Sequence, residues 1–377
     1  MIDRPLFSIV IPTGGRTKTL PYTLNTVLSQ AENDMEVIVS DNDETDQTAN
    51  LIKQIQDPRV RYIKTPARLS MTDHWNFALA ATKGEYVLVL GDDDGLLGDA
   101  LLRVRKAVAH NNVDVLFADL DFYQWPVQGQ LGRVTQIADC TADTMVDLSV
   151  QAQRVLHMGG ARWERLPSVY RTFIHRRILE KLGGTNGGVC DTVIPDMYTS
   201  FAIAGIEGLR ALRLAYPLAI CAMSYPQGEK RMPRIADGKT GEALSRHMME
   251  YGDVPLQTPL PHTLPRVFNA FTETIIVATA RFPEAYKGTK LNYSAHCAWM
   301  ASWSGCGTAK DFWKIREHLM PFGFKFHQFL FWYALYKIRH AYSSRQSRRT
   351  GEASKMMQSG NVFDVACELT AARQKHQ

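Results

Sequence analysis

The chain has 377 residues, more than one compact core usually holds, so a principal domain with an appended region is expected. With 45% hydrophobic and 21% charged residues it has an ordinary globular composition, which excludes a disordered or low-complexity chain. A formal net charge of +5 is too small to imply nucleic acid, and no run approaches the roughly twenty apolar residues of a membrane-spanning helix.

In chain order, the first element is an apolar run, Leu6 to Ile11. Lacking a basic leader and a small-residue cleavage site, it reads as a strand and not as a signal peptide. Further runs at Glu36 to Val39, Val60 to Ile63, Tyr86 to Leu90 and Val113 to Ala118 are rich in Val, Ile and Leu, as strands buried on both faces are. Between them, Leu20, Leu24, Val27 and Leu28 recur at helical spacing, as do Leu97, Leu101, Val104 and Val108; Trp75, Ala78 and Leu79 make a shorter stripe. Alternating strands and amphipathic helices predict an α/β fold with a mainly parallel sheet flanked by helices.

From Trp125 to Asp143 the chain turns polar and aperiodic, an excursion or loop. Arg171 to Leu182 is predicted helical, Gly183 to Asp191 a loop, Asp196 to Gly205 a helix begun by Pro195, and Arg213 to Ala222 a strand. Beyond Gly228 the period is helical and broken by Pro255, Pro259, Pro261 and Pro265, which implies a mostly helical C-terminal region. The six cysteines are scattered without a CxxC pair, and His157, His175, His296 and His318 lack metal-ligand spacing.

In an open sheet of this kind, ligands bind beyond the carboxyl ends of the strands. Three such ends are chemically loaded: Pro12-Thr13-Gly14-Gly15-Arg16, Ser40-Asp41-Asn42-Asp43 and Gly91-Asp92-Asp93-Asp94. Three adjacent carboxylates repel one another unless a cation sits among them, and oxygen ligands alone point to Mg2+ or Mn2+. The competing reading is a solvated acidic turn with Asp94 or Asp99 capping the next helix.

The ordered set of segments resembles the inverting glycosyltransferase family 2 with the GT-A fold. The segments are Phe7-Ser8-Ile9-Val10-Ile11-Pro12-Thr13 with Arg16, Glu36 to Asn42, Val60 to Ile63, Trp75 to Leu79 and Gly84 to Asp94. The resemblance implies a domain over residues 1–227, with a nucleotide-binding half to about 120 and an acceptor half over 121–227, followed by the helical region 228–377. It makes Asp41 the reader of the nucleotide base and assigns Asp92 and Asp93 to metal and ribose, Asp93 first for the metal and Asp94 less so. Pro12, Thr13 and Arg16 border the nucleotide, joined by Arg68 and Asn76. The family often has an aromatic residue and Asn after Pro-Thr, where this chain has Gly14-Gly15, so a base-stacking side chain is missing and the base is left open. As general base the resemblance implies Asp196, placed by Pro195 at a helix start, with Asp191 as runner-up; a simple helix cap is the competing role.

The implied donor is a nucleotide-diphosphate sugar, UDP-linked by family habit. The implied acceptor is a saccharide or lipid-linked saccharide in bacterial surface-polysaccharide synthesis, with no nucleic acid as partner. Two other functions fit parts of the pattern. A sugar-phosphate nucleotidyltransferase would share the sheet and the acidic site, although Gly14-Gly15-Arg16-Thr17 only partly echoes its G-x-G-T-R loop. A non-catalytic sugar- or lipid-binding subunit of a glycan assembly complex is opposed by the intact Asp92, Asp93 and Asp196. The aromatic run from Phe322 to Tyr333 and the basic residues after it read first as a core-facing helix with a solvated tail, and alternatively as an interfacial membrane contact. A cytoplasmic protein, or one peripheral at the inner membrane face, is the matching location.

Overall fold

A computed structural model describes residues 4–126, 132–135, 142–183, 188–224, 257–261, 264, 266–304, 309–350 and 360–374. The elements begin with β1 (Phe7–Thr13), α1 (Leu20–Leu28), β2 (Met35–Asp41), α2 (Gln47–Ile52), β3 (Val60–Lys64), α3 (Met71–Ala80) and β4 (Tyr86–Val89). Then come β5 (Gly95–Leu96), α4 (Ala100–His110), β6 (Val115–Phe117), β7 (Asp121–Gln124), β8 (Arg133–Thr135), β9 (Thr144–Val146) and α5 (Leu148–His157). The chain continues with β10 (Phe173–His175), α6 (Arg176–Gly183), α7 (Pro195–Ala204), β11 (Ala211–Arg213) and β12 (Ala219–Met223). Helices close the chain: α8 (Arg266–Arg281), α9 (Tyr293–Ser304), α10 (Ala309–Lys314), α11 (Arg316–Leu319), α12 (Phe326–Thr350) and α13 (Val362–Gln374).

The main sheet has eight strands in the order β3-β2-β1-β4-β10-β6-β11-β9, and a second sheet pairs β5-β12-β7-β8. Strands β3, β2, β1 and β4 run parallel, and β11 runs parallel to β6. Strand β10 is antiparallel to both its neighbours, and β9 is antiparallel to β11. The expected α/β fold with a mainly parallel sheet, helices on its faces and a helical C-terminal region is thus present.

Alternation along β1 explains why the sheet is covered on both faces. Phe7, Ile9 and Ile11 point to the core under α1 and α4, while Val10 joins the opposite core with Trp75, Phe201 and Phe268. That second core crosses residue 228: α8 packs on α7, so the helical region is built into the fold. Gly84 has its own reason, since a Cβ there would lie 2.5 Å from the Ser8 nitrogen.

Two expectations give way to the structure. Arg171 to Leu182 is not one helix: Phe173 and Ile174 form a strand between β4 and β6, and the helix begins at Arg176. Both side chains are fully buried, and pairing on two sides outweighs the local helical spacing. Arg213 to Ala222 is not one strand either, because β11 and β12 belong to different sheets; Pro217, which has no N–H to give a ladder, stands between them. Most of the polar stretch from Trp125 to Asp143, together with Pro255 and Pro265, lies outside the described residues.

Candidate active site

Strands β1 and β4 are neighbours in the sheet, so the segments beyond their carboxyl ends are brought together. The Thr13 hydroxyl donates to Asp92 Oδ2 at 2.7 Å. Arg16 Nη1 donates to Asp93 Oδ2 at 2.8 Å and stands 3.5 Å from Asp92 Oδ1. The Ser224 backbone N–H and hydroxyl also reach Asp93 Oδ2, at 3.1 and 2.5 Å. The three aspartates are all buried. Burial, with the Asp93 charge beside it, pushes the Asp92 carboxyl up to about 7 against the opposing pull of Arg16. The same carboxylates raise the Arg16 guanidinium, Asp92 foremost.

Asp94 has a different setting. It is wholly buried, with Oδ1 accepting from the Ala222 N–H at 2.7 Å and Oδ2 from the Tyr170 hydroxyl at 2.6 Å. Its carbonyl accepts from the Thr23 hydroxyl at 2.7 Å, and Trp125 Nε1 donates to the Asp93 carbonyl at 3.0 Å. Asp94 therefore ties the acidic turn to β12 and α1.

At the end of β2, Asp41 is buried with both oxygens engaged: Oδ1 accepts from the Asp43 N–H at 3.0 Å and Oδ2 from the Tyr62 hydroxyl at 2.8 Å. The Asn42 N–H donates to the Thr13 carbonyl at 2.9 Å, which joins this turn to the end of β1. Arg68 Nη1 donates to the Asn42 carbonyl at 3.3 Å and passes beside Gly14, 3.9 Å from where a Cβ would stand. Gly15 has φ +85°, and a Cβ on it would meet Asp43 Oδ2 at 3.0 Å, so this turn calls for glycine on two counts. Pro12 is the penultimate residue of β1, paired with Ser40.

Asn76 bonds at both ends of its amide to the backbone of Cys190: Nδ2 donates to the carbonyl at 2.9 Å and Oδ1 accepts the N–H at 2.8 Å. Helix α3 is thereby stapled to the segment leading into α7. That segment is strained, with Thr192 at φ +61° held by its hydroxyl contact with Thr274 at 2.9 Å and by the Thr72 hydroxyl on its carbonyl at 2.5 Å. Asp196 sits in the first turn of α7 behind Pro195, where burial raises its carboxyl above the usual range and the Arg171 charge pulls the other way. Asp191 is exposed and accepts the Thr192 N–H at 2.7 Å.

Tyr170, Arg171 and Ser224 were not visible as site residues in the sequence. Arg171 has φ +59°, its guanidinium lies 4.0 Å from the Tyr170 ring centroid, and Nη1 is 4.0 Å from Asp94 Oδ2. No motif marks them; only the folded chain brings them to the acidic turn. A groove of about 1410 Å3 beside Asp147, Lys181 and Glu207 shares no residue with this rim.

Among the described residues no three His, Cys, Asp or Glu side chains converge as a metal cluster. Hydrogen bonds from described residues fall on Oδ2 of Asp92 and of Asp93, and Asp92 Oδ1 has the Arg16 guanidinium at 3.5 Å, a contact that a bound cation would replace. Two carboxylate oxygens fit an ion such as Mg2+ or Mn2+, which completes its shell with waters and substrate phosphates.

Residues 8–134 match the family model described as glycosyl transferase family 2. An uncharacterized protein of Mycobacterium tuberculosis is 23% identical over 251 residues, covering 66% of this chain and 73% of that protein. The Campylobacter jejuni GalNAc(5)-diNAcBac-PP-undecaprenol beta-1,3-glucosyltransferase is 32% identical over 100 residues, which are 26% of this chain and 32% of that enzyme. Among solved structures, S. aureus TarS 1–349 in complex with UDP-GlcNAc aligns with a TM-score of 0.48 at 15% identity over 92% of each chain. Residues 8–134, which build β1 to β4, β6 and β7, thus carry the match to glycosyl transferase family 2, on an α/β fold with a mainly parallel sheet.

Proposed function

We propose that the protein transfers a sugar from a nucleotide-diphosphate donor to an acceptor hydroxyl with inversion, in the assembly of a bacterial polysaccharide or glycoconjugate. The observation that carries the reading is the meeting of Thr13, Arg16, Asp92 and Asp93 at adjoining strand ends. In this reading Pro12, Thr13, Asp41 and Arg68 border the nucleoside, and the Asp92 and Asp93 carboxylates border the diphosphate. When bound there, Mg2+ or Mn2+ would neutralise charge on the departing diphosphate. A UDP-sugar is the favoured donor, and a saccharide or lipid-linked saccharide the acceptor; a lipid-linked acceptor puts the work at the cytoplasmic face of a membrane. The Campylobacter relative, a GalNAc(5)-diNAcBac-PP-undecaprenol beta-1,3-glucosyltransferase, is of this kind.

Asp196 is the general base. Burial raises its carboxyl above the usual range, which makes the ionised form a stronger proton acceptor than an exposed aspartate. It removes the acceptor hydroxyl proton as that oxygen attacks the anomeric carbon; the bond from this carbon to the diphosphate oxygen breaks, and the nucleoside diphosphate leaves with the electron pair. Asp196→Asn should retain nucleotide affinity while turnover falls by about 10²–10⁴-fold, measured as nucleotide release with acceptor present. Normal turnover in that variant would move the role to Asp191, and a product of retained configuration would overturn inversion. Pyrophosphate release from a nucleoside triphosphate and a sugar phosphate would instead mark a nucleotidyltransferase.

A further inference from the structure

Helix α12 has two apolar faces, and the fold uses only one. Phe329 and Tyr336 are buried in the core, where the Tyr336 hydroxyl donates to the Met158 carbonyl at 2.6 Å. Opposite them, Leu330, Phe331, Leu335 and Ile338 are 45%, 64%, 42% and 67% exposed, and His327 and Ala334 complete the stripe at i, i+3, i+4, i+7, i+8 and i+11. A helix on the outside of a globular protein places charged and polar residues there. Just upstream, Trp313 packs edge-on against Phe326 at 4.7 Å and is itself 48% exposed, and Met320 and Phe322 are exposed as well. Of thirteen exposed large hydrophobic side chains among the described residues, seven fall between Trp313 and Ile338.

Charge decides what can cover this face. From Lys314 to Thr350 the sequence has eight Lys and Arg against the single acidic residue Glu317. Lys325, Lys337 and Arg339 are exposed at the two ends of the stripe. A second copy of the chain would bring the same positive charge against it. An anionic lipid surface supplies both an apolar layer and negative headgroups. No helix among the described residues is long and apolar enough to cross a membrane, so the contact lies along the surface.

We propose that α12 docks the protein on an anionic bilayer, with Leu330, Phe331, Leu335 and Ile338 entering the acyl boundary and the flanking Lys and Arg side chains meeting phosphate headgroups. Docking goes beyond the transfer reaction and does not depend on it. The test is flotation of the full chain with phosphatidylcholine vesicles containing phosphatidylglycerol, beside vesicles of phosphatidylcholine alone. The wild-type protein should float with the anionic vesicles and detach as salt is raised. The triple variant F331S, L335S and I338S should lose about tenfold or more in partitioning, at an unchanged melting temperature because these side chains are exposed. The pair K337E and R339E, which leaves the apolar stripe intact, should also lose binding to the anionic vesicles. Equal uptake by neutral and anionic vesicles, or triple-variant binding equal to wild type, would overturn the proposal. So would a dimer in sedimentation equilibrium that the triple variant dissolves while the wild type ignores vesicles.

Discussion

Arg16 reaches the Asp92–Asp93 pair with a side chain that is 53% exposed, so this cation can leave the carboxylates without dismantling the core. A divalent ion and the guanidinium then compete for the same negative charge. Such a half-solvated ion pair is weak, and Arg16→Ala should tighten Mn2+ binding without nucleotide by about two- to fivefold, read by calorimetry. Weaker Mn2+ binding in that variant would show that Arg16 helps to form the site. Protonation of Asp92 acts in the other direction. Its folded value of about 7 lies above the ordinary 3.8, so between the two the folded chain holds the extra proton, and this group's contribution to stability declines as pH rises through that window. Cation binding needs the proton gone, so Mn2+ affinity should fall roughly tenfold per pH unit below about pH 7 and level off above it. A flat profile from pH 5.5 to 8 would remove Asp92 from the ion's surroundings.

Between elements, the double hydrogen bond from Asn76 to Cys190 is what keeps α3 and the approach to α7 in register. Asn76→Ala deletes both bonds and should cost about 1–3 kcal/mol in chemical denaturation, with the larger kinetic effect on acceptor KM, because Asp196 lies six residues further on. Unchanged stability would mean that water replaces the amide. The same elements show what sequence patterns can and cannot reveal. Strands β1 to β4 and helices α1, α3 and α4 were legible because each buries one apolar stripe or run against its nearest neighbours in the chain. The acidic turn was legible for the same reason, as it follows β4 directly. Strand β10 was not legible, since three residues carry no period and their burial depends on β4 and β6, far away in sequence. Asp94 read only as a marginal ligand or a cap; its ties to Tyr170 and Ala222 come from contacts 76 and 128 residues apart. The exposed face of α12 was hidden because aromatic density does not say which side is covered.

Across the whole molecule, the end of the described chain returns to the beginning. Val362, Val365, Ala366 and Leu369 of α13 form one cluster with Leu97, Tyr123 and Ile220, the Thr370 hydroxyl accepts from the Gly98 N–H at 2.8 Å, and Arg373 pairs with the buried Asp121 at 2.9 Å. The acidic turn is therefore clamped from β12 on one side and braced through β5 by α13. Leu369 is fully buried, and Leu369→Ala should cost about 2–5 kcal/mol by denaturant titration. A cost below 1 kcal/mol would mean that α13 is only loosely attached.

The backbone N–H of Ala222 is the donor to Asp94, and Ser224 the donor to Asp93, so both carboxylates wait for chain made 128 or more residues later. During translation strands β1 to β4 emerge and can collapse first. Until β12 arrives, their acidic turn has two of its three aspartates short of partners and carries net repulsion. A ribosome-bound chain halted near residue 210 should thus hold its strands but keep that turn open to solvent, and the site would be assembled only by the later-made half.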